Sequence, residues 1–136
     1  MTGIINLADV LVGLNPRLNE GRYVFVSSKG PLKVDSSDTV GTFKEEEGIT
    51  YIIKKEQADL QGLTYGPVMA WITLKVHSSL EAIGLTAAVS KVLSENDISC
   101  NVVAAYYHDH IFVPEKDAEN ALKTFISITR SNENSL

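Results

Sequence analysis

The order of apolar patterns predicts an α+β fold of antiparallel sheet and helices, arranged as two halves that meet near Gly66-Pro67. Three observations predict it. Strict alternation runs through residues 69–76, with Ala70, Ile72, Leu74 and Val76 on one face and Trp71, Thr73 and Lys75 on the other. A helical stripe of Ala82, Leu85, Val89 and Val92 follows within residues 80–95. Two short strands and a further helix complete the order strand, helix, strand, strand, helix, which is ferredoxin-like but short of its last strand.

Each element has a local cause. Ile4, Leu7, Val10, Leu11 and Leu14 stand at helical spacing, and Pro16 closes that helix. Gly21 opens a strand over 23–27, broken at Lys29-Gly30-Pro31, and Asp35-Ser36-Ser37-Asp38 reads as an exposed loop. Residues 39–46 are extended, Gly48 turns the chain, 49–53 form a strand, and 55–61 make a short helix ended by Gly62. Asn96-Asp97 ends the long helix, Asn being tolerated in the left-handed conformation of a C-cap.

Residues 100–106 and 111–113 are strands separated by His108-Asp109-His110. Pro114 suits the first turn of the last helix, whose apolar side is Ala118, Ala121, Leu122 and Phe125, and the polar tail 131–136 frays. A sheet without its last strand keeps an unpaired edge, and the strand over 23–27 is expected to complete it. The first half, residues 1–66, reads as a degenerate copy of the second half, 67–136, with no visible sequence repeat.

Composition narrows the function. A hydrophobic fraction of 44% over 136 residues supports a packed core. A net charge of −5, with dispersed basic residues, disfavours nucleic acid as a partner. One cysteine, Cys100, allows no internal disulfide and is read as a buried structural thiol in a reducing compartment. The N-terminal residues do not have the pattern of a signal peptide, and no apolar run is long enough for a membrane helix. A soluble cytoplasmic protein is expected, with no membrane partner. The sequence carries no phosphate loop, nucleophile elbow or dinucleotide fingerprint.

Five segments in order carry a family resemblance: Phe43-Lys44-Glu45-Glu46-Glu47-Gly48-Ile49-Thr50, Ala70-Trp71-Ile72-Thr73-Leu74, residues 76–90 from Val76-His77-Ser78-Ser79-Leu80-Glu81 onward, Ile98-Ser99-Cys100-Asn101-Val102-Val103-Ala104, and Tyr106-Tyr107-His108-Asp109-His110-Ile111-Phe112-Val113-Pro114. The chain resembles a family of small bacterial proteins with paired ACT domains. It is also similar to the tandem ACT units of aspartate kinases and of eukaryotic cytosolic arginine sensors. The resemblance implies two ACT-like ferredoxin-fold (βαββαβ) halves with antiparallel sheets and helices on one face. It further implies amino-acid binding where units meet, at the loop after a first strand and the start of the following helix.

The residues at that junction suit a carboxylate. Ser78 and Glu81 have capping-box spacing, and free amides at a helix start attract an anion. A well-capped helix is the plain alternative. Gly84 costs the helix about 1 kcal/mol against alanine, which either a close-approaching ligand or close packing on the sheet offsets. The expected ligand-binding set is His77, Ser78, Ser79, Leu80, Ile83 and Gly84 around the ligand, with Asn101, Val102 and Val103 as pocket floor. Glu46, within the run Glu45-Glu46-Glu47, or Asp109 would receive the ammonium group, and a solvated edge strand is the competing reading of that acidic run.

His108-Asp109-His110 admits three readings: a polar hairpin whose turn Asp109 caps, a ligand contact, and a metal site with His77. The i,i+2 spacing and the lack of a second His or Cys cluster argue against the metal. The sequence therefore predicts a non-enzymatic, cofactor-free regulatory sensor of a small molecule, an amino acid by preference. It is expected to be a homo-oligomer that a partner enzyme or transporter reads. The rivals are a ligand-free assembly module and a metal-dependent enzyme centred on the histidine hairpin.

Overall fold

The computed structural model describes residues 15–75 and 82–134, with the backbone alone at 82, 83, 85 and 129–134. The helix expected over 4–14 lies outside the described residues. The elements are β1 (Asn15–Leu18), β2 (Tyr23–Ser28), β3 (Thr39–Lys44), β4 (Ile49–Lys54), α1 (Lys55–Leu60), β5 (Met69–Lys75), α2 (Ala82–Glu95), β6 (Asn101–Ala104), β7 (His108–Pro114) and α3 (Ala118–Asn134). Short 3-10 turns occupy Ser36–Asp38 and Glu115–Asp117. The chain divides into an inserted unit, Glu20–Ala70, and a split unit, Met1–Asn19 with Trp71–Leu136.

In the inserted unit β2 pairs β4 antiparallel from Tyr23↔Lys54 to Ser28↔Ile49. β3 pairs the other edge of β4, and Tyr23 also pairs Met69 at the start of β5. The strand order is therefore β3-β4-β2-β5. The first strand lies between the last and the third, as in a ferredoxin-like unit. Alternation places Val24, Val26 and Ile53 in the core, where Ala58 of α1 is also fully buried.

This unit departs from βαββαβ where its first helix belongs. After Lys29-Gly30-Pro31 the chain runs on as a strap with the single 3-10 turn. Side chains from β4 and α1 hold the strap. The Leu32 amide donates to the Tyr51 hydroxyl at 3.0 Å, Gln61 Nε2 to the Lys33 carbonyl at 2.9 Å, and Gln57 Nε2 to Asp38 Oδ2 at 2.9 Å. Leu32 and Val34 pack against the core cluster.

The split unit has the order β1-β5-β7-β6. β1 pairs β5 from Asn15↔Lys75 to Leu18↔Ile72, and β6 pairs β7 from Asn101↔Phe112 to Ala104↔Asp109. Counting from β5, this is the same ferredoxin-like order, with the fourth strand taken from the chain before the first. That corrects the expectation for the strand over 23–27. Asn15–Leu18 borders β5 instead, while β2 meets β5 only at Met69. Pro16 sits in this short strand, and the helix it was expected to close lies outside the described residues.

α2 ends in a Schellman turn: the Ile98 amide donates to the Leu93 carbonyl at 2.9 Å and the Asp97 amide to Ser94 at 3.0 Å. The left-handed residue is Asp97, φ 59°, rather than Asn96. On α2, Ala88, Val89 and Leu93 are buried, so the stripe runs to Leu93 where Val92 had been expected. α3 buries Ala118, Ala121 and Phe125 and continues through Asn134, beyond the point where fraying was expected. Pro114 ends β7, one step before the 3-10 turn that leads into α3.

Candidate functional site

The predicted cradle residues His77, Ser78, Ser79 and Leu80 lie outside the described residues, and at Ile83 the backbone alone is described, within α2. Gly84, the third residue of α2, has φ 89°. An L-residue is strained there, so the glycine answers a backbone demand that spacing does not reveal. Asn101 and Val103 are exposed on β6 and Val102 is half-buried. Pairing sets Val102 opposite Ile111 and Val103 opposite His110, so the predicted floor and the histidine segment are neighbours. Glu46 belongs to the inserted unit. There Glu45 and Gly48 exchange backbone hydrogen bonds, and Glu46-Glu47 form an exposed two-residue hairpin tip rather than alternating strand positions.

His108-Asp109-His110 corrects a second expectation. These residues begin β7 and do not form the hairpin tip. The tip is Tyr106-Tyr107, closed by the Ala105 amide donating to the His108 carbonyl at 3.0 Å. The preceding strand is correspondingly short, Asn101–Ala104, with half-buried Cys100 just before it. The physical reason is register. Every residue from His108 to Phe112 has a place in or beside the ladder, so the two most exposed aromatics, Tyr106 and Tyr107, are left to turn.

Alternation along β7 separates the three polar residues. His110 and Phe112 lie on the face of Trp71, whose ring stacks on Phe112 with centroids 6.2 Å apart. His108 is on that face too, its ring centroid 6.5 Å from that of His110. Asp109 points the other way, with buried Ile111 and Val113, and is itself buried. It caps no turn, and burial pushes its carboxyl above the ordinary value, against a smaller lowering by His110.

A hydrogen-bonded chain crosses the Trp71 face. Trp71 Nε1 donates to His110 Nδ1 at 3.0 Å, and Thr73 Oγ1 stands 3.2 Å from the same nitrogen. Asn19 Nδ2 donates to Thr73 Oγ1 at 2.8 Å, and its own side-chain oxygen accepts from Arg17 Nη2 at 3.1 Å. Burial holds His110 below the ordinary histidine value, helped by His108 and opposed by Asp109. His108 Nδ1 is buried with no hydrogen-bond partner among the described residues. Sequence reasoning did not foresee this chain, because Asn19, Thr73 and His110 are joined only by strand pairing.

Among the described residues no group of three or more His, Cys, Asp and Glu side chains is placed to hold a metal ion. Open grooves of about 470 and 580 Å³ lie along α2, one beside Ser90, Asp97 and Cys100 and one beside Asn120, Lys123 and Ser127 of α3. Among the described residues, no predicted ligand residue lines either groove. Among the described residues no helix is long and apolar enough to cross a membrane.

Two ACT-domain family models match in tandem, one over residues 2–70 and one over residues 69–127. The chain belongs to the ACT-domain family. ACT membership accounts for the ferredoxin-like order found in both units. No curated protein matches this ACT chain. Among solved structures it is similar to a Vibrio cholerae protein of unknown function, described as a possible transport protein, at 41% identity and TM-score 0.81, covering 90% of this chain and 95% of that one. It is also similar to a protein from Agrobacterium tumefaciens, at 15% identity and TM-score 0.69, covering 85% and 89% of the two chains. The regulatory subunit of aspartate kinase from Thermus thermophilus, in its ligand-free form, shares 9% identity at TM-score 0.57, covering 83% and 95%. The last two likenesses are likenesses of fold.

Proposed function

We propose that this tandem ACT protein is a regulatory module that binds a small molecule, by preference an amino acid, and acts through the pairing of its ACT units rather than by catalysis. The observation that carries the proposal is the pair of consecutive ACT matches across residues 2–127, supported by two units that each have the ferredoxin-like strand order. ACT units are regulatory rather than catalytic modules, and the fold is shared with regulatory units of aspartate kinase.

The proposed binding set is the junction from β5 to α2, with His77, Ser78, Ser79 and Leu80 leading to Ile83 and Gly84, and Asn101, Val102 and Val103 as its floor. His108 and Asp109 would add ligand contacts. Glu46 would serve as counter-charge to the ligand's ammonium group. We place the functional boundary between the two ACT halves at Gly66-Pro67. A homo-oligomer in the cytoplasm, read by an enzyme or transporter, is the expected working form.

A ligand that binds only the folded state raises thermal stability as RT ln(1 + [L]/Kd). A thermal-shift screen of the full chain against the twenty amino acids, nucleobases and short-chain carboxylates tests the proposal. A concentration-dependent rise with an amino acid is the expected result. A folded chain that none of these compounds stabilises would overturn it and leave the assembly-module reading.

A further inference from the structure

A tryptophan indole N–H can only donate. Its bond to His110 Nδ1 therefore makes that nitrogen an acceptor, and the neutral ring carries its proton on Nε2. Thr73 completes the arrangement. Its hydroxyl oxygen accepts from Asn19 Nδ2 and lies 3.2 Å from the same ring nitrogen, where its hydroxyl proton can share the Nδ1 lone pair with the indole.

Adding a proton to His110 reverses one end of this chain. Nδ1 then carries hydrogen and cannot accept from Trp71. The hydroxyl oxygen of Thr73, with a second lone pair, can accept from it. We propose that His110 is a proton switch. The neutral ring is bound by the Trp71 indole, and the charged ring releases the indole and donates to Thr73 instead. The proton moves from solvent to Nδ1, the indole N–H···Nδ1 hydrogen bond breaks, and the Thr73 hydroxyl rotates so that its oxygen accepts from Nδ1–H.

The surroundings define the switch. The titratable and charged groups around His110, among the described residues, are His108 on its own face, Asp109 beside it on the opposite face, Lys75 on the β5 face of Trp71 and Thr73, and Arg17 at the far end through Asn19. Thr73 is buried, while Trp71 and His110 are half-buried, so solvent protons reach the ring and the acceptor beneath it is shielded from water. The part released is the indole that stacks on Phe112, and acid thereby loosens the aromatic layer that joins β5 to β7.

Trp71 is the only tryptophan, so the protein carries its own reporter. In full-length protein, the indole fluorescence and the indole 15N–1H signal are expected to titrate together below neutral pH, while circular dichroism shows a folded chain. His110→Gln should abolish that titration, and His108→Gln should retain it. Thr73→Val removes the acceptor that welcomes the charged ring and should move the titration to lower pH by roughly half a unit or more. Ring 15N shifts of the unmodified protein give an independent reading that does not depend on any variant folding. The Nε2–H tautomer of His110 is expected at pH 8. An Nδ1–H tautomer, or an indole titration that survives His110→Gln, would overturn the proposal.

Discussion

Gly48 and Ser28 meet so closely across β2 and β4 that a β-carbon at position 48 would lie 2.7 Å from the Ser28 carbonyl oxygen. The contact is backbone, so no rotamer change relieves it. Gly48→Ala is expected to destabilise the protein by about 2 kcal/mol, the scale of overpacking in a tight site. Gly30, with nothing within 4 Å of the corresponding position, supplies the control: Gly30→Ala should lie within about 0.5 kcal/mol of the parent. Urea midpoints of the two variants compare them directly, and equal midpoints would refute the contact.

Gly84 offers a test of opposite signs. A glycine in ordinary helical geometry is improved by alanine, by about 1 kcal/mol. At φ 89° alanine meets the left-handed penalty, and a loss of about 1–2 kcal/mol is expected. Gly84→Asn should lose less, because Asn visits that region more readily. A gain in melting temperature for Gly84→Ala would contradict the backbone geometry.

The strap that stands where the inserted unit would have its first helix depends on single side chains. Tyr51→Phe removes the acceptor for the Leu32 amide and should cost about 1 kcal/mol. Amide exchange at Leu32 should accelerate, while exchange at Val24 and Ile53 follows only the global change. Unchanged exchange at Leu32 would show that packing of Leu32 and Val34 alone retains the strap.

Asp109 predicts a pH dependence with a definite sign. Its carboxyl is raised in the folded state, so between its unfolded value of 3.8 and its folded value the native protein binds more protons than the unfolded chain. Its contribution to stability is therefore fully present below 3.8 and is lost as pH rises through the folded value. Asp109→Asn, which cannot ionise, should be more stable than the parent at pH 7, with the difference shrinking as the pH falls toward 3.8. Chemical denaturation at pH 7, 5 and 4 measures it, and a pH-independent difference would assign the effect to something other than the buried charge.

Much of the fold was legible because local pattern and tertiary role agreed. The alternation of Ala70, Ile72 and Leu74, the short helix carrying Ala58, and the stop at Asn96-Asp97 all read correctly, since period and capping chemistry are properties of a few adjacent residues. The strand Asn15–Leu18 was not read, because four residues that include a proline show no alternation, and only the pairing with β5 reveals it. The histidine segment misled for a related reason. Polar residues look like turn residues, yet the β6–β7 register assigns the turn to Tyr106-Tyr107.

By itself, then, the sequence determined most of the strands and helices, through short-range periodicity and capping chemistry, and its contiguous motifs carried the resemblance to paired ACT domains that implied two ferredoxin-like halves. Only the tertiary structure decided which strand completes the split unit, that Asp109 is buried opposite His110, and that Asn19, Thr73, His110 and Trp71 form one hydrogen-bonded chain. Those outcomes depend on register between strands far apart along the chain, and a shift of one residue would send every side chain to the other face.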